Sequence, residues 1–152
     1  MSSISDMTFV FESSVTIPAL YASRIWDVWE ALEDWHKWDA SLKGTRAQDN
    51  GLTLGKRFEI VTGQGPVPVC VTALIAGFHF TTTAQTSFGS LSFGHTLSPD
   101  KNEELVKLTH SILATANSPS TLPHPLLEKL QADVVDSVEK LADFVQQKED
   151  SL

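Results

Sequence analysis

LLEKLQADVVDSVEKLADFVQQ, residues 126–147, carries an unbroken helical pattern. Its apolar residues recur every three or four positions, at Leu127, Leu130, Val134, Val138, Leu141 and Val145. This spacing puts them on one stripe of an α-helix and leaves charged residues on the opposite side. The sequence therefore predicts one long helix, and the apolar stripe of that helix needs an apolar surface to pack against.

The surface for this helix is predicted to be a β-sheet, because strand-like segments fill most of the chain before it. From Thr8 to Ile17 apolar and polar residues alternate, and Pro18 ends the pattern. Turn residues such as Asn50-Gly51 separate the later segments. We place these later strands at 42–48, 55–62, 67–76, 79–87, 90–97 and 104–114. No helical pattern interrupts them, which favours an antiparallel meander of seven strands in total.

Two short helices are predicted between the first and second strands. Ser23 is suited to cap the first of them. Its apolar stripe consists of Ile25, Val28, Trp29 and Leu32. A second helical turn follows and contains Trp35 and Trp38. The tryptophans at 26, 29, 35 and 38 are consistent with an aromatic lid over a pocket, or with simple packing of the short helices on the core.

The size of the chain fits a single domain over residues 1–152, with fraying expected at 1–6 and 148–152. The composition is 41% hydrophobic and 20% charged, which is ordinary for a folded protein. The formal net charge is -8, and the 11 Lys and Arg residues form no basic block, which argues against binding to nucleic acid or to anionic membranes. The lack of an 18-residue apolar run and of a basic start favours a cytoplasmic protein without stable membrane insertion. The single cysteine, Cys70, excludes a disulfide within the chain.

Three stretches carry a resemblance to a known superfamily. They are FESSVTIPA (11–19) followed by ASRIWDVWEALEDWHKWDASL (22–42), then FGSLSFGHTLSP (88–99), then LVKLTHSILATA (105–116). Together they resemble the polyketide cyclase/dehydrase-like branch of the START and birch-pollen-allergen (SRPBCC) superfamily, over nearly the whole chain. The resemblance implies an α+β helix-grip fold: a seven-stranded curved antiparallel sheet around a long C-terminal helix, with two short helices after strand 1.

The resemblance is specific for the fold and leaves the function open, because the superfamily includes lipid carriers, hormone receptors, aromatase/cyclases and members with no assigned activity. One departure concerns the approach to the last helix, SPSTLPHPLLEKL (118–130). It has fewer glycines than this branch leads us to expect. The helix is therefore predicted to lie closer to the sheet and to leave a smaller pocket.

His95 and His110 are the candidate catalytic residues, because each interrupts an apolar inward row on adjacent predicted strands. They are predicted to be direct cross-strand neighbours or to be offset by two residues. One imidazole would act as acid or base, or bond a carbonyl or phenol of a ligand. The alternative is a pair of satisfied core histidines. Two histidines fall short of a zinc site, so neither metal nor cofactor is predicted. The remaining histidines, His36, His79 and His124, are assigned to solvent.

A hydrophobic small molecule of lipid, polyketide or aromatic type is the predicted ligand, bound by a monomer or homodimer. The predicted pocket residues, which should form one continuous apolar interior with a cavity of roughly 300 Å³ or more, are Phe58, Phe80, Phe93, Leu108, Val134 and Val138. The alternatives are a metal-independent cyclase, dehydratase or isomerase, and a purely structural or protein-binding role. A polar companion of either histidine would separate binding from catalysis, and the candidates are Ser13, Glu59, Thr72, Thr82 and Gln85.

Overall fold

The computed structural model describes residues 7–117 and 121–147 with their side chains, and the backbone of 2–4 and 148–150. Within these residues, one antiparallel sheet is followed by a long helix. The strands are β1 (Ser2–Ile4), β2 (Thr8–Pro18), β3 (Leu42–Arg46), β4 (Arg57–Thr62), β5 (Gly65–Ile75), β6 (His79–Gln85), β7 (Gly89–Pro99) and β8 (Leu105–Ala116). The helices are α1 (Ala22–Glu30) and α2 (His124–Asp150), with 3₁₀ turns at Ala19–Tyr21 and Leu32–Lys37.

The strands lie in the order β1-β2-β8-β7-β6-β5-β4-β3, and every neighbouring pair is antiparallel. Consecutive strands from β3 to β8 are joined as hairpins. β2 then pairs with β8 along its whole length, so the first and last long strands are neighbours and β1 forms one edge of the sheet. This is the predicted fold: a curved antiparallel sheet with a long C-terminal helix and short helices after the first long strand.

Three details differ from the sequence-based expectation. A short strand, β1, pairs with β2 in addition to the seven predicted strands. The helix α2 begins at His124 and continues to Asp150, beyond the predicted range of 126–147 at both ends. Ser23 does not cap α1, because the helix begins at Ala22 after a 3₁₀ turn and its N-cap residue, Tyr21, makes no side-chain capping bond.

Two apolar clusters lie between the inner face of the sheet and the helices. The larger cluster surrounds Phe80 and includes Leu108 on β8 and Val138 on α2. The smaller cluster surrounds Ile112 and includes Val134. The predicted apolar stripe of α2 therefore packs on the sheet, but its two ends contribute to different clusters.

Gly89, the first residue of β7, is crowded by the backbone of β8. Its φ is +152°, and a Cβ atom there would clash with the carbonyl oxygen of Thr115. Because backbone atoms cannot rotate away, Gly89→Ala should lower the free energy of unfolding by about 2 kcal/mol or more. Urea unfolding followed by tryptophan fluorescence measures the loss.

Gly63→Ala is the matched control for this substitution. A Cβ atom at Gly63 would meet open space, and the φ of Gly63 is not positive. The control should stay within about 0.5 kcal/mol of the wild-type protein. Equal stability of the Gly89→Ala and Gly63→Ala proteins would contradict the close approach of β7 and β8 at this point.

Candidate functional site

One row of side chains crosses the inner face of four strands. The register pairs Ser13 on β2 with His110 on β8, His110 with His95 on β7, and His95 with Phe80 on β6. Paired residues in an antiparallel sheet point to the same face. The two predicted histidines are thus direct cross-strand partners, which is the first of the two predicted arrangements.

His95 and His110 are both buried, with 8% and 3% of their surface exposed. Their ring centroids are 4.9 Å apart, and the rings meet edge to face at 68°. His95 also stacks on Phe80, with centroids 4.0 Å apart and an interplanar angle of 2°. The His95 ring is therefore held between the Phe80 ring and the His110 ring.

Ser137 on α2 fixes the orientation of the His110 ring. The hydroxyl of Ser137 donates to the main-chain oxygen of Val134 at 3.2 Å, and His110 Nδ1 lies 2.9 Å from the same hydroxyl oxygen. The bond from Ser137 to Val134 favours the tautomer in which His110 Nδ1 carries the proton and donates it to the Ser137 oxygen. The other nitrogen of the ring, Nε2, is then an acceptor when the imidazole is neutral.

The two imidazoles are neutral at ordinary pH because they are desolvated. Burial lowers the pKa of His110 to about 3. Burial also lowers the pKa of His95 well below its usual value, and the neighbouring His110 adds to this effect. Hydrogen bonds with the main chain of Phe80 and Phe93 raise the pKa of His95, but they do not outweigh the effect of burial.

The four tryptophans lie in the interior around these histidines and differ in their hydrogen bonding. Trp26 donates its indole N–H to the carboxylate of Glu30, and Trp35 donates its N–H to the main-chain oxygen of Trp29 at 2.9 Å. Trp29 and Trp38, both fully buried, find no acceptor among the described residues. Trp29 lies 5.7 Å from His95 and 6.1 Å from His110 between ring centroids, and Trp38 lies 5.6 Å from His110.

Four adjoining rings thus each carry a buried nitrogen with no hydrogen-bond partner among the described residues. These atoms are Trp29 Nε1, Trp38 Nε1, His95 Nδ1 and His110 Nε2. We call these four residues the polar cluster. Buried polar groups are paired in the great majority of cases, so four exceptions at one place need an explanation. Sequence reasoning identified the two histidines and left the role of the tryptophans open.

The predicted pocket residues do not form one continuous interior. Phe58, Phe80, Leu108 and Val138 belong to the larger cluster, whereas Val134 belongs to the smaller one, with half-buried Phe93 packed against it. The His110–Ser137 contact lies between them, because Leu108 and Ile112 flank His110 on β8. A polar layer separates two apolar regions where the sequence predicted a single one.

Aromatic rings pack closely where the sequence predicted a cavity. Trp29 lies 5.4 Å from Phe80 between ring centroids, and Trp35 lies 5.5 Å from Phe58. Two surface clefts, of about 460 and 430 Å³, lie elsewhere. The first is lined by Glu30 and residues 48–53, 56 and 57, the second by the exposed side of α2, and none of the six predicted pocket residues lines either.

The polar companion of the histidine pair is Ser137, which was not among the predicted candidates. Ser13 and Thr82 do lie on the inner face, next to His110 and Phe93 in the register. The other three candidates, Glu59, Thr72 and Gln85, are partly or fully exposed. The sequence did contain a signal for Ser137, because a serine three residues after Val134 interrupts the apolar stripe of the helix.

His79, predicted to face solvent, is half-buried on the outer face of the sheet. Its ring nitrogens Nδ1 and Nε2 lie 2.7 Å from the hydroxyl oxygens of Thr96 and Thr81, respectively. Burial lowers the pKa of His79. His36 and His124 are exposed, as predicted. In residues 7–117 and 121–147, no group of three or more His, Cys, Asp or Glu side chains is arranged to hold a metal ion.

Comparison with known proteins rests on the fold alone. No family model matches the chain, and no curated protein matches it significantly. The crystal structure of Ara h 8.0201 superimposes with a TM-score of 0.70 at 12% identity, over 92% of this chain and 99% of that one. A START superfamily protein from Mycobacterium smegmatis does so with a TM-score of 0.65 at 17% identity, over 91% and 97%. The chain has the helix-grip fold that these structures share.

Another helix-grip structure comes from a biosynthetic locus. DynU16, a protein in the dynemicin biosynthetic locus, superimposes with a TM-score of 0.64 at 18% identity, over 90% of this chain and 47% of that longer one. At these identities the likeness shows the helix-grip fold, and membership of the superfamily and of its predicted branch stays a prediction. In the part of the chain that the structure describes, neither helix is long and apolar enough to cross a membrane.

Proposed function

We propose that the protein binds a hydrophobic small molecule of lipid, polyketide or aromatic type in the helix-grip interior, between the sheet and α2. The polar cluster carries this proposal. Each buried polar group without a partner costs about 1–3 kcal/mol, so four of them on adjoining rings are a substantial expense for folding alone. A bound molecule with one polar group and an apolar body would recover part of that energy.

The contrast among the tryptophans supports this proposal and indicates how the ligand enters. The indole N–H groups of Trp26 and Trp35 are tied to protein oxygens. Those of Trp29 and Trp38 are not, so a shift of these two side chains breaks no hydrogen bond of the indole. We infer that Trp29 and Trp38 shift to admit the ligand while their N–H groups stay turned toward the histidines.

Acid–base catalysis by His95 and His110, as in a cyclase, dehydratase or isomerase, is the second candidate. His110 has one feature of a catalytic base, because Ser137 holds Nδ1 while Nε2 faces other rings. Its low pKa of about 3 argues the other way, since a general base works best with a pKa near the working pH. Binding without chemistry is therefore better supported than catalysis.

The proposal also covers the location, the oligomeric state and the cofactor use of the protein. We propose a cytoplasmic monomer or homodimer that uses no cofactor. We also propose that nucleic acid and anionic membrane surfaces are not partners, because the net charge of -8 disfavours binding to them.

Replacing either histidine tests the binding function. With a neutral fluorescent apolar probe such as N-phenyl-1-naphthylamine, His95→Phe and His110→Phe should weaken probe affinity tenfold or more, about 1.4 kcal/mol. The reason is that phenylalanine keeps the apolar volume and removes the ring nitrogens. Fluorescence titration measures the affinity, and thermal unfolding of each variant shows what fraction is folded.

A matched control for these variants is His36→Phe, at an exposed position of the 3₁₀ turn. It should keep the wild-type affinity for the probe. Native mass spectrometry of the purified wild-type protein adds an independent measurement, because a retained small molecule appears as added mass. A large loss of stability in the His95 and His110 variants with unchanged affinity per folded molecule would refute the binding role.

A further inference from the structure

The polar cluster contains both hydrogen-bond donors and an acceptor. An indole nitrogen carries a proton and only donates, so Trp29 and Trp38 contribute two donors. In the tautomer in which His110 Nδ1 donates to Ser137, His110 contributes an acceptor, because Nε2 then carries a lone pair. The role of His95 Nδ1 depends on its tautomer. His110 adjoins all three other rings, at centroid distances of 4.9–6.1 Å.

We propose that this cluster recognises a hydroxyl group on an otherwise apolar ligand, with Trp29 and Trp38 donating to its oxygen and His110 Nε2 accepting its proton. The inference rests on the proposed binding function and specifies the ligand's polar group. A hydroxyl oxygen has two lone pairs and one proton, so a single group of this kind can satisfy three of the four unpaired nitrogens. Ser137 acts as a positioning residue, because it determines which nitrogen of His110 accepts.

Other polar groups fit this set of nitrogens less well. A carbonyl or ether oxygen accepts from the indoles but leaves His110 Nε2 without a donor. A carboxylate would be costly to bury beside the polar cluster, because none of the four residues of the cluster is Lys or Arg. An ammonium group would face two N–H donors. The hydroxyl is the group whose donor and acceptor both find partners.

Three small aromatic probes of similar shape separate these cases on the wild-type protein. Phenol has a donor and an acceptor, anisole has an acceptor only, and toluene has neither. Transfer from water to an apolar site favours toluene over phenol, so a preference for phenol has to come from hydrogen bonds. We expect phenol to bind at least tenfold more tightly than toluene or anisole. Titration followed by the ¹⁵N–¹H signals of the indoles measures all three affinities.

The indole signals also locate the bound probe. Phenol should shift the signals of Trp29 and Trp38, and it should leave those of Trp26 and Trp35 nearly unchanged because their N–H groups are already bonded. Trp38→Phe should remove the preference for phenol, whereas Trp26→Phe, the matched control, should retain it. Ser137→Ala should reduce the preference and change the ¹⁵N pattern of the His110 ring, which reports its tautomer.

Each outcome of these titrations has a distinct meaning. Tighter binding of phenol with shifts at Trp29 and Trp38 supports the hydroxyl site. Equal or tighter binding of toluene overturns the hydroxyl site and leaves the binding function standing. Equal binding of anisole and phenol overturns the role of His110 as acceptor. If none of the three probes binds at concentrations up to its solubility limit, the binding function itself is overturned.

Discussion

The free energy of unfolding should fall steeply as the pH drops below about 6.5, because two histidines lie neutral in the core. Burial lowers the pKa of His110 to about 3 and that of His95 well below its usual value. The unfolded chain takes up protons near pH 6.5, while the folded chain does not until the pH approaches these lowered values. Stability is therefore complete above about pH 6.5 and is lost progressively toward about pH 3.

The expected loss is large compared with the stability of an ordinary domain. In this range each histidine lowers the free energy of unfolding by about 1.4 kcal/mol per pH unit, so the pair lowers it by about 3 kcal/mol per unit. The whole free energy of unfolding of a domain is about 5–15 kcal/mol. Asp39 offsets part of this loss of stability at lower pH, because its raised pKa makes the folded state take up a proton before the unfolded state does. Burial raises its pKa despite its hydrogen bonds from Ser41, and the charges of Asp133 and Asp136 raise it further.

Urea unfolding at a series of pH values from about 7.5 to about 5 measures this dependence. The double variant His95→Phe/His110→Phe should have a much flatter profile, because it removes both buried imidazoles. His36→Gln, at an exposed position, should leave the profile as it is in the wild-type protein. A wild-type stability that stays constant down to about pH 5 would show that the two imidazoles are not neutral core groups.

The fold could be predicted from the sequence because its signals are periodic. The alternation of Thr8–Pro18 and the stripe of α2 each repeat over several turns or residue pairs, so a single exception does not hide them. β1 was missed because three residues are too few for any alternation to be read. Its pairing with β2 depends on an edge that exists only in the folded sheet.

The candidate site could be predicted only in part, because it depends on contacts between distant segments. The hairpin of β7 and β8 is local, so the neighbourhood of His95 and His110 follows from strand alternation. The contact of His110 with Ser137 joins residues 27 positions apart on different elements. The crossing position of α2 on the sheet sets this contact, and helical periodicity alone does not fix it.

Strand alternation could not predict that side chains fill the interior, although one feature of the sequence did indicate a smaller pocket. Inward positions on strands and helices are the same whether the interior holds a ligand or side chains. The tryptophans of α1 and the following 3₁₀ turn occupy that space, with Trp29 and Trp38 fully buried. The low glycine content of the approach to α2 predicted a smaller pocket, and its residues 118–120 lie outside the described part of the chain.

Phe80→Ala should lower the free energy of unfolding by about 3–5 kcal/mol, which is the usual range for removing a fully buried phenylalanine. Phe80 has no exposed surface, stacks on His95 and meets Trp26, Trp29 and Trp35 edge-on or at a tilt. These rings belong to α1, the 3₁₀ turn and β7, so the interior cannot collapse onto the missing ring without moving several elements. Urea unfolding near pH 7.5, where the histidines do not contribute a pH effect, measures the loss.

Phe78→Ala is the matched control, because Phe78 is the same residue type two positions earlier and is 41% exposed. It should cost about 1 kcal/mol or less. The space left by Phe80 adjoins the polar cluster, so toluene at high concentration should restore part of the stability of the Phe80→Ala protein, since an apolar molecule that fills a cavity stabilises the folded state. Equal losses of unfolding free energy in the two alanine variants would show that Phe80 is not the centre of the larger cluster. If toluene stabilised both variants equally, no cavity would form beside His95.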